Sequence, residues 1–253
     1  MKSQLAIEIS ENAVRFARLM DSEVQSVDVF FFKDKTDIRY KEQLDDIVKE
    51  KGYRDEEFDE YSLSWCTSVS SLLPNNVYGE VSEESVINLG FKSDISHDSI
   101  DHNRIPELSV VNVFSIPMWV KSFFVIRFPR IVMQHEGSHL LHGLLSANAF
   151  SLQVVVVLHE TTFNVTVTNE NELRFYSYFE YENEEDVIYH LMYTLQQNNL
   201  LNRKGKLLMC AGVGADDQKL ISLKLKMDKM KDLNQLKNKI NSHLLLNFQS
   251  LCV

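Results

Sequence analysis

The sequence HEGSH at residues 135–139 matches the pattern H-E-x-x-H, in which two histidines bind Zn²⁺ while the glutamate activates a water molecule. On a helix His135 and His139 would share a face, because they are four residues apart. The residues before them are strand-like, however, and Gly137 weakens a helix by about 1 kcal/mol relative to alanine. Two interpretations stay open. One is a zinc peptidase with ligands His135 and His139 and Glu136 as the base, and the other is a strand end at His135 followed by histidines on an exposed helix.

A second candidate is the loop AGVGA at residues 211–215, which follows a predicted buried strand and precedes a helix. Glycines after a strand let backbone N–H groups approach a phosphate closely, although two such glycines are common in α/β proteins. The acidic pair Asp216-Asp217 could bind a metal, but acidic residues at a helix N-terminus more often interact with the helix dipole. We interpret the acidic residues 184–186 in the same way.

Composition and charge limit the classes of function. The 253 residues include 26 Lys and Arg against 36 Asp and Glu, which gives a formal net charge of −10. This acidic balance argues against a nucleic-acid-binding protein. Residues 201–253 differ, because they hold 10 basic and 4 acidic residues. This basic segment either forms a solvated helix or meets an acidic surface.

The cysteines and the apolar stretches bear on the compartment. Cys66, Cys210 and Cys252 are far apart and form no CxxC pair, which favours reduced thiols in a cytoplasmic protein. Glu8 and Glu11 lie where a signal peptide would need an apolar run. Polar and charged residues interrupt the most apolar long stretch, residues 110–128. We therefore predict a cytoplasmic protein without an integral membrane segment.

Hydrophobic periodicity predicts the elements that would position these residues. Strands are predicted at residues 5–10, 13–19, 24–32, 61–72, 108–116, 131–134, 154–158 and 206–211, and in two alternating runs on either side of a turn at 168–171. Helices are predicted at residues 41–51, 82–89, 117–128, 137–148, 184–197 and 228–246. Residues 91–106 contain few apolar side chains and are predicted to form a long loop.

Two segments of the chain share one order of elements. Setting Ser10 against His159 aligns SENAVRF with HETTFNV without a gap. Each copy then reads strand, tight turn, strand, turn, strand and helix. The first strand of the second copy, Val154–Leu158, is apolar throughout, so we expect it to be buried on both faces. The pattern predicts a duplicated α/β protein.

This duplicated β-β-β-α order resembles the actin-like ATPase fold, which consists of two ribonuclease H-like lobes with mixed sheets and flanking helices. The chain also resembles a bacterial family of uncharacterised proteins with that fold. In outline it is similar to the actin-like cytoplasmic components of type IV pilus and type II secretion systems. The resemblance implies a first lobe at residues 1–150 and a second at residues 151–253.

In proteins of that fold, ATP and Mg²⁺ bind between the lobes, against turns that carry the sequence Asp-x-Gly. Here the first turn reads Glu8-Ile9-Ser10, in which Glu8 could take the metal-binding role and Ser10 keeps a hydroxyl. The second turn, Val157-Leu158-His159, has neither the carboxylate nor the glycine. The other positions that the resemblance assigns to nucleotide are Thr161, Thr162, Gly212 and Gly214.

The resemblance therefore implies a degenerate nucleotide site. We expect no cofactor and no nucleotide hydrolysis, and we predict a scaffold or adaptor that acts through an unknown protein partner. Two alternatives stay open. One is an actin-like ATPase switch that binds ATP and Mg²⁺ at the positions named above, and the other is the zinc peptidase of residues 135–139.

Overall fold

The computed structural model describes residues 2–91, 99–146 and 151–252. The chain forms two compact units, one made of Met1–Gly143 with Leu246–Val253 and the other of Leu144–Leu245. The last eight residues thus belong to the first unit by their contacts, whereas the division predicted at residue 150 places them with the second. No helix in these ranges is both long and apolar enough to cross a membrane.

The first unit contains a five-stranded main sheet and a small three-stranded sheet. Its elements are β1 (Ser3–Ile9), β2 (Ala13–Met20), β3 (Glu23–Phe31), α1 (Asp37–Glu50), β4 (Glu60–Trp65), β5 (Ser70–Pro74), α2 (Glu83–Phe91), β6 (Ile100–Ile105), β7 (Val110–Ser115), α3 (Met118–Arg127), β8 (Val132–His135) and α4 (Glu136–Ser146). The strand order is β3-β2-β1-β4-β8 in the main sheet and β5-β7-β6 in the small one. In the main sheet β4 is parallel to both β1 and β8.

The second unit contains one five-stranded sheet with the same arrangement. Its elements are β9 (Leu152–Leu158), β10 (Thr162–Asn169), β11 (Glu172–Glu180), α5 (Glu184–Gln197), β12 (Gly205–Ala211), α6 (Asp217–Met227) and β13 (Leu236–Ile240), and α7 (Leu244–Gln249) follows. The strand order is β11-β10-β9-β12-β13. The two main sheets therefore have the same order and the same pattern of parallel and antiparallel neighbours.

The duplication holds residue by residue over the first three strands of each unit. With Ser10 set against His159, the strands β1, β2 and β3 begin and end at positions equivalent to β9, β10 and β11. A β-bulge follows Arg18 in one copy and the equivalent Val167 in the other. Both second turns place two residues at positive φ, at 21–22 and at 170–171. The predicted register of the repeat is confirmed.

Alternation of side chains explains the core of each unit, because one face of each sheet is apolar and packs against helices. In the first unit Ile7, Phe16 and Leu63 pack with Trp119 and Phe124 of α3. In the second unit apolar residues of the sheet pack with α5 and α6. Every residue of β9 is buried, as predicted for a strand covered on both faces.

The other face of the first main sheet is covered by the end of the chain and by α4. Leu246 of α7 packs with Ala6 and Ala17, and Gln249 donates an amide hydrogen bond to the carbonyl of Ile7 at 3.1 Å. The ring of Phe248 lies where a Cβ on Gly143 of α4 would otherwise extend. Contacts of this kind join residues 246–252 to the first unit.

Three predicted elements are wrong. The strand at 61–72 is two strands, β4 and β5, with a loop between them. The loop at 91–106 contains β6, whose polar residues lie between the buried Ile100 and Ile105 and pair with the apolar β7; residues 92–98 lie outside the described ranges. The helix at 228–246 is a short 3₁₀ turn, the strand β13 and the start of α7, because residues 236–240 alternate between core and solvent.

Candidate functional site

The first candidate turn places Glu8 near the end of β1, where it faces Arg15 of β2 directly across the antiparallel ladder. Glu8 Oε2 lies 2.7 Å from Arg15 Nη1, and the two side chains are 0% and 12% exposed. A carboxylate at such a buried position needs a countercharge, and Arg15 supplies it. The arrangement is a structural ion pair, so the carboxylate to which the resemblance assigns the metal-binding role already has a countercharge.

Ser10 uses its hydroxyl to close its own turn. Ser10 Oγ accepts hydrogen bonds from the backbone N–H groups of Asn12 and Ala13, both at 3.2 Å. The backbone N–H of Ser10 donates to the carbonyl of Ala13 at 2.9 Å. These are the bonds of a serine-stabilised turn, and they direct the hydroxyl to local backbone groups.

The second candidate turn brings the imidazole of His159 against Gly212. A Cβ at Gly212 would lie 2.4 Å from both Cε1 and Nδ1 of His159, far inside a van der Waals contact. The backbone N–H of Gly212 donates to the carbonyl of Leu158 at 2.9 Å. The glycine therefore accommodates a histidine ring, and its amide is bonded to β9 instead of facing a phosphate.

The equivalent position in the first unit is Cys66, whose backbone N–H donates to the carbonyl of Ile9 at 2.8 Å. The same backbone bond is thus made with a side chain present, so the turn itself does not require glycine. Glycine is required at position 212 because the ring of His159 occupies the space that a Cβ would need. Burial raises the pKa of the Cys66 thiol, and the nearby carboxylates of Glu136 and Glu8 raise it further. Such a thiol is not a nucleophile at neutral pH.

The remaining loop glycine, Gly214, has φ +81°, a backbone conformation that glycine adopts without strain. It precedes Asp216, which caps α6 by accepting a hydrogen bond from the N–H of Gln218 at 2.8 Å. The predicted role of the acidic pair at a helix N-terminus is confirmed. Two carboxylates at this helix start oppose the binding of an anionic phosphate there.

Thr161 lines a cavity of about 600 Å³ in the second unit. The other lining residues are Tyr181, Asn183 and three carboxylates, Glu180, Glu182 and Asp186. Asn183 and Asp186 form a capping box at the start of α5, as predicted for the acidic residues there. A triphosphate beside Thr161 or its neighbour Thr162 would meet negative charge without any basic side chain in the lining.

The motif at residues 135–139 straddles an element boundary, because His135 ends β8 and α4 begins at Glu136. His135 Nδ1 accepts the backbone N–H of Gly137 at 2.9 Å, so the ring proton lies on Nε2. Nε2 then donates to the carbonyl of Thr67 at 2.8 Å. Both nitrogens of His135 are engaged with backbone groups, and the one in-plane lone pair of the ring, on Nδ1, accepts the Gly137 N–H instead of binding a metal.

His139 lies inside the first unit. It is 1% exposed, and its Nδ1 is 3.3 Å from the hydroxyl of Ser64 on β4. Burial lowers the pKa of His139 to about 3, so the ring is neutral at physiological pH. The expectation of an exposed helix face at His139 is wrong, because α4 packs this residue against the sheet. In the described ranges no three metal-ligating side chains converge, and the zinc interpretation stays a prediction without geometric support.

The contacts above bring together a polar cluster that sequence reasoning missed. Glu8, Ser64, Cys66, Glu136 and His139 are all buried near the carboxyl ends of the parallel strands β1, β4 and β8. The alternating serines of β4 were its signal in the sequence, since polar residues on the strand face opposite Leu63 need buried partners. The Glu8 carboxylate is paired with Arg15, and burial keeps His139 neutral and raises the pKa of the Cys66 thiol.

Comparison with known proteins places the chain in a family and a fold. A family model described as "Protein of unknown function (DUF3822)" matches residues 1–225. A comparison with curated protein sequences finds no match. Among solved structures, the chain is similar to a Bacteroides thetaiotaomicron protein with an actin-like ATPase fold and unknown function. The identity is 14%, the TM-score is 0.76, and 98% of this chain and 96% of that chain are covered.

Two further solved structures agree. The PilM–PilN type IV pilus biogenesis complex gives 9% identity and a TM-score of 0.61, with 98% of each chain covered. The ethanolamine utilization protein EutJ from Carboxydothermus hydrogenoformans gives 7% identity and a TM-score of 0.54, with 98% of this chain and 88% of that chain covered. Identities this low establish the fold alone, and the predicted actin-like ATPase fold is confirmed.

Proposed function

We propose that this chain, which belongs to the DUF3822 family of proteins of unknown function, is a non-hydrolytic protein of actin-like fold that acts through protein–protein contacts as a scaffold or adaptor. The observation that carries the proposal is the ring of His159 against Gly212. Phosphate binding in a glycine-rich loop requires backbone N–H groups that point to open space. Here the glycine is covered by an imidazole and its N–H is bonded to Leu158.

The electrostatics of the other candidate positions support the same proposal. Glu8 is neutralised by Arg15, the carboxylates of Asp216 and Asp217 begin α6, and the cavity beside Thr161 is lined by three carboxylates. Transfer of a phosphoryl group depends on cations and amide donors around the phosphates. The candidate positions provide acids where such donors are required.

A protein that has the actin-like fold over its whole length but lacks the groups for phosphoryl transfer still has surfaces that can bind other proteins. The similarity to the PilM–PilN complex, in which a protein of this fold is bound to another protein, supports a protein partner for this chain. The net charge of −10 argues against nucleic acid. Its three cysteines are free thiols, which supports a cytoplasmic location.

The direct test is thermal unfolding with and without Mg-ATP, because a ligand that binds the native state raises the melting temperature. We expect no shift of the melting temperature at about 5 mM Mg-ATP and no phosphate release. A ligand at ten times its Kd stabilises the native state by about 1.4 kcal/mol, which raises the melting temperature by about 3–6 °C at this chain length. MgCl₂ alone is the control for the cation. A shift of that size together with phosphate release would overturn the proposal and favour the ATPase switch.

A further inference from the structure

The strand β13 forms one edge of the second unit's sheet, and within residues 151–252 it pairs with β12 alone. Two bonds at its ends fix the direction of its backbone groups. Gly205 N–H donates to the carbonyl of Gln235 at 3.2 Å, and Asn241 N–H donates to the carbonyl of Met209 at 2.9 Å. Because successive residues of a strand direct their N–H and C=O groups to opposite sides, Leu236, Asn238 and Ile240 direct theirs outward.

Three lysines lie on one face of this edge. Leu236 and Ile240 pack with the core, so the intervening Lys237 and Lys239 project from the opposite face, and both are exposed. Lys206 of β12 is the direct neighbour of Lys237 in the parallel ladder and is exposed too. No described residue makes an ion pair with any of the three. The edge therefore combines outward backbone groups with a row of uncompensated positive charge.

The equivalent edge of the first unit is closed. There the edge strand is β8, and the backbone N–H of its last residue, His135, donates to Oδ1 of Asn103 at 2.8 Å. Asn103 belongs to β6, which packs beside β8. The residues of β8 before His135 carry no charge. The two copies of one sheet thus differ at this edge, and the second unit alone has the open, basic form.

We infer that β13 binds an extended acidic peptide, which adds to the sheet as a further strand with Asp or Glu at alternate positions. Strand addition supplies backbone hydrogen bonds, and side chains at every second residue supply specificity. The residues of an added strand beside Lys237 and Lys239 are two apart and share the lysine face. Acidic side chains there complement the charge. This inference rests on the adaptor role proposed above and names the chemical class of partner.

The first experiment measures binding of a fluorescein-labelled peptide of about eight residues with alternating Glu and Val, by fluorescence anisotropy with the full chain. We expect saturable binding, and we expect the double variant Lys237→Glu/Lys239→Glu to weaken it about tenfold or more. The matched control is Lys33→Glu/Lys49→Glu, which changes the net charge equally at two exposed lysines of the first unit. This control should bind within about twofold of the unaltered chain.

The second experiment tests the backbone bonds. A peptide of the same sequence with N-methyl groups on alternate residues cannot pair fully with an edge, and we expect it to bind about tenfold more weakly. On the protein side, Asn238→Pro removes an outward N–H, whereas Asn238→Ala keeps that N–H and removes only the side-chain bond to Asp228. We expect a loss of binding for the proline variant alone; the N-methyl peptide gives the same information if that variant does not fold.

Three outcomes would overturn the inference. The first is no binding of the peptide up to about 1 mM, in which case the lysines act only to keep the edge from pairing. The second is equal binding of the N-methyl peptide, and the third is equal weakening by the control variant; both mean attraction to net charge without strand addition. None of these bears on the Mg-ATP test, which contains no peptide, so the two proposals fail independently.

Discussion

The substitution Gly212→Ala tests the reason for a glycine in the candidate phosphate loop. The added Cβ would lie 2.4 Å from two atoms of the His159 ring, whereas carbon atoms in contact are separated by about 3.5–4.0 Å. The ring or the loop must therefore move by about 1 Å or more. The turn resists this movement, because Tyr181 donates to the carbonyl of His159 at 2.6 Å and Gly212 N–H is bonded to Leu158. Overpacking of this kind costs about 1–3 kcal/mol.

The assay is urea unfolding followed by far-ultraviolet circular dichroism, with Gly212→Ala made in two backgrounds. In the unaltered chain we expect a loss of about 1–3 kcal/mol in the free energy of unfolding. In a His159→Ala background the three atoms nearest to the added methyl group are absent, so the same substitution should cost less than about 0.5 kcal/mol. The difference between the two costs is the coupling energy of the pair, and it should exceed about 0.5 kcal/mol.

Equal costs in both backgrounds would refute this reasoning, because the His159 ring would then not be what requires the glycine. A neutral Gly212→Ala would refute it as well. A glycine needed for the approach of a phosphate predicts a different result. In that case the apo protein would keep its stability, and the loss would appear only as weaker nucleotide binding.

Two other predictions concern the buried polar cluster. Arg15→Ala should destabilise the chain by about 3–5 kcal/mol in urea unfolding, because it removes the guanidinium that the buried Glu8 carboxylate contacts, and a loss under about 1 kcal/mol would contradict the ion pair. The variant Glu8→Leu/Arg15→Met should recover most of that loss. The pKa of His139 is about 3 in the folded chain against an ordinary 6.5, so the unfolded chain binds the proton first and stability falls as pH drops through this range. The substitution His139→Gln should reduce the change of the unfolding free energy with pH by up to about 1.4 kcal/mol per pH unit. An unchanged dependence of stability on pH would contradict this prediction.

The order and register of the duplicated strands could be predicted because they depend on local information. Apolar alternation in β1 and β10, the apolar run of β9, and the polar turns between strands are all readable within a dozen residues. The helix predicted at 228–246 is wrong because that prediction also used local information alone. Its apolar residues happen to recur at helical spacing, while the parallel ladder with β12 lies some 30 residues away in the sequence and decides the strand.

From the sequence, the candidate site could be predicted only through the positions at which its turns differ from the Asp-x-Gly pattern. The absence of a carboxylate and glycine at Val157-Leu158-His159 is visible in the sequence, but the contact between His159 and Gly212 is not, because it joins the ends of two different strands. The same limit explains His139. Whether a histidine on α4 faces solvent or Ser64 depends on how the helix packs against the sheet, and helical periodicity alone does not define that face when both sides contain apolar residues.

The two copies show how one position can be filled in different ways. Ser10 and Cys66 occupy in the first copy the places that His159 and Gly212 occupy in the second, with the same backbone bond between the strand ends. One copy has a serine and a cysteine at these positions, and the other places a large ring against a glycine. In both copies the amide is bonded within the protein, and in the second copy the ring fills the space beside the glycine. Gly212 is therefore better explained as the packing complement of His159 than as a remnant that still serves phosphate.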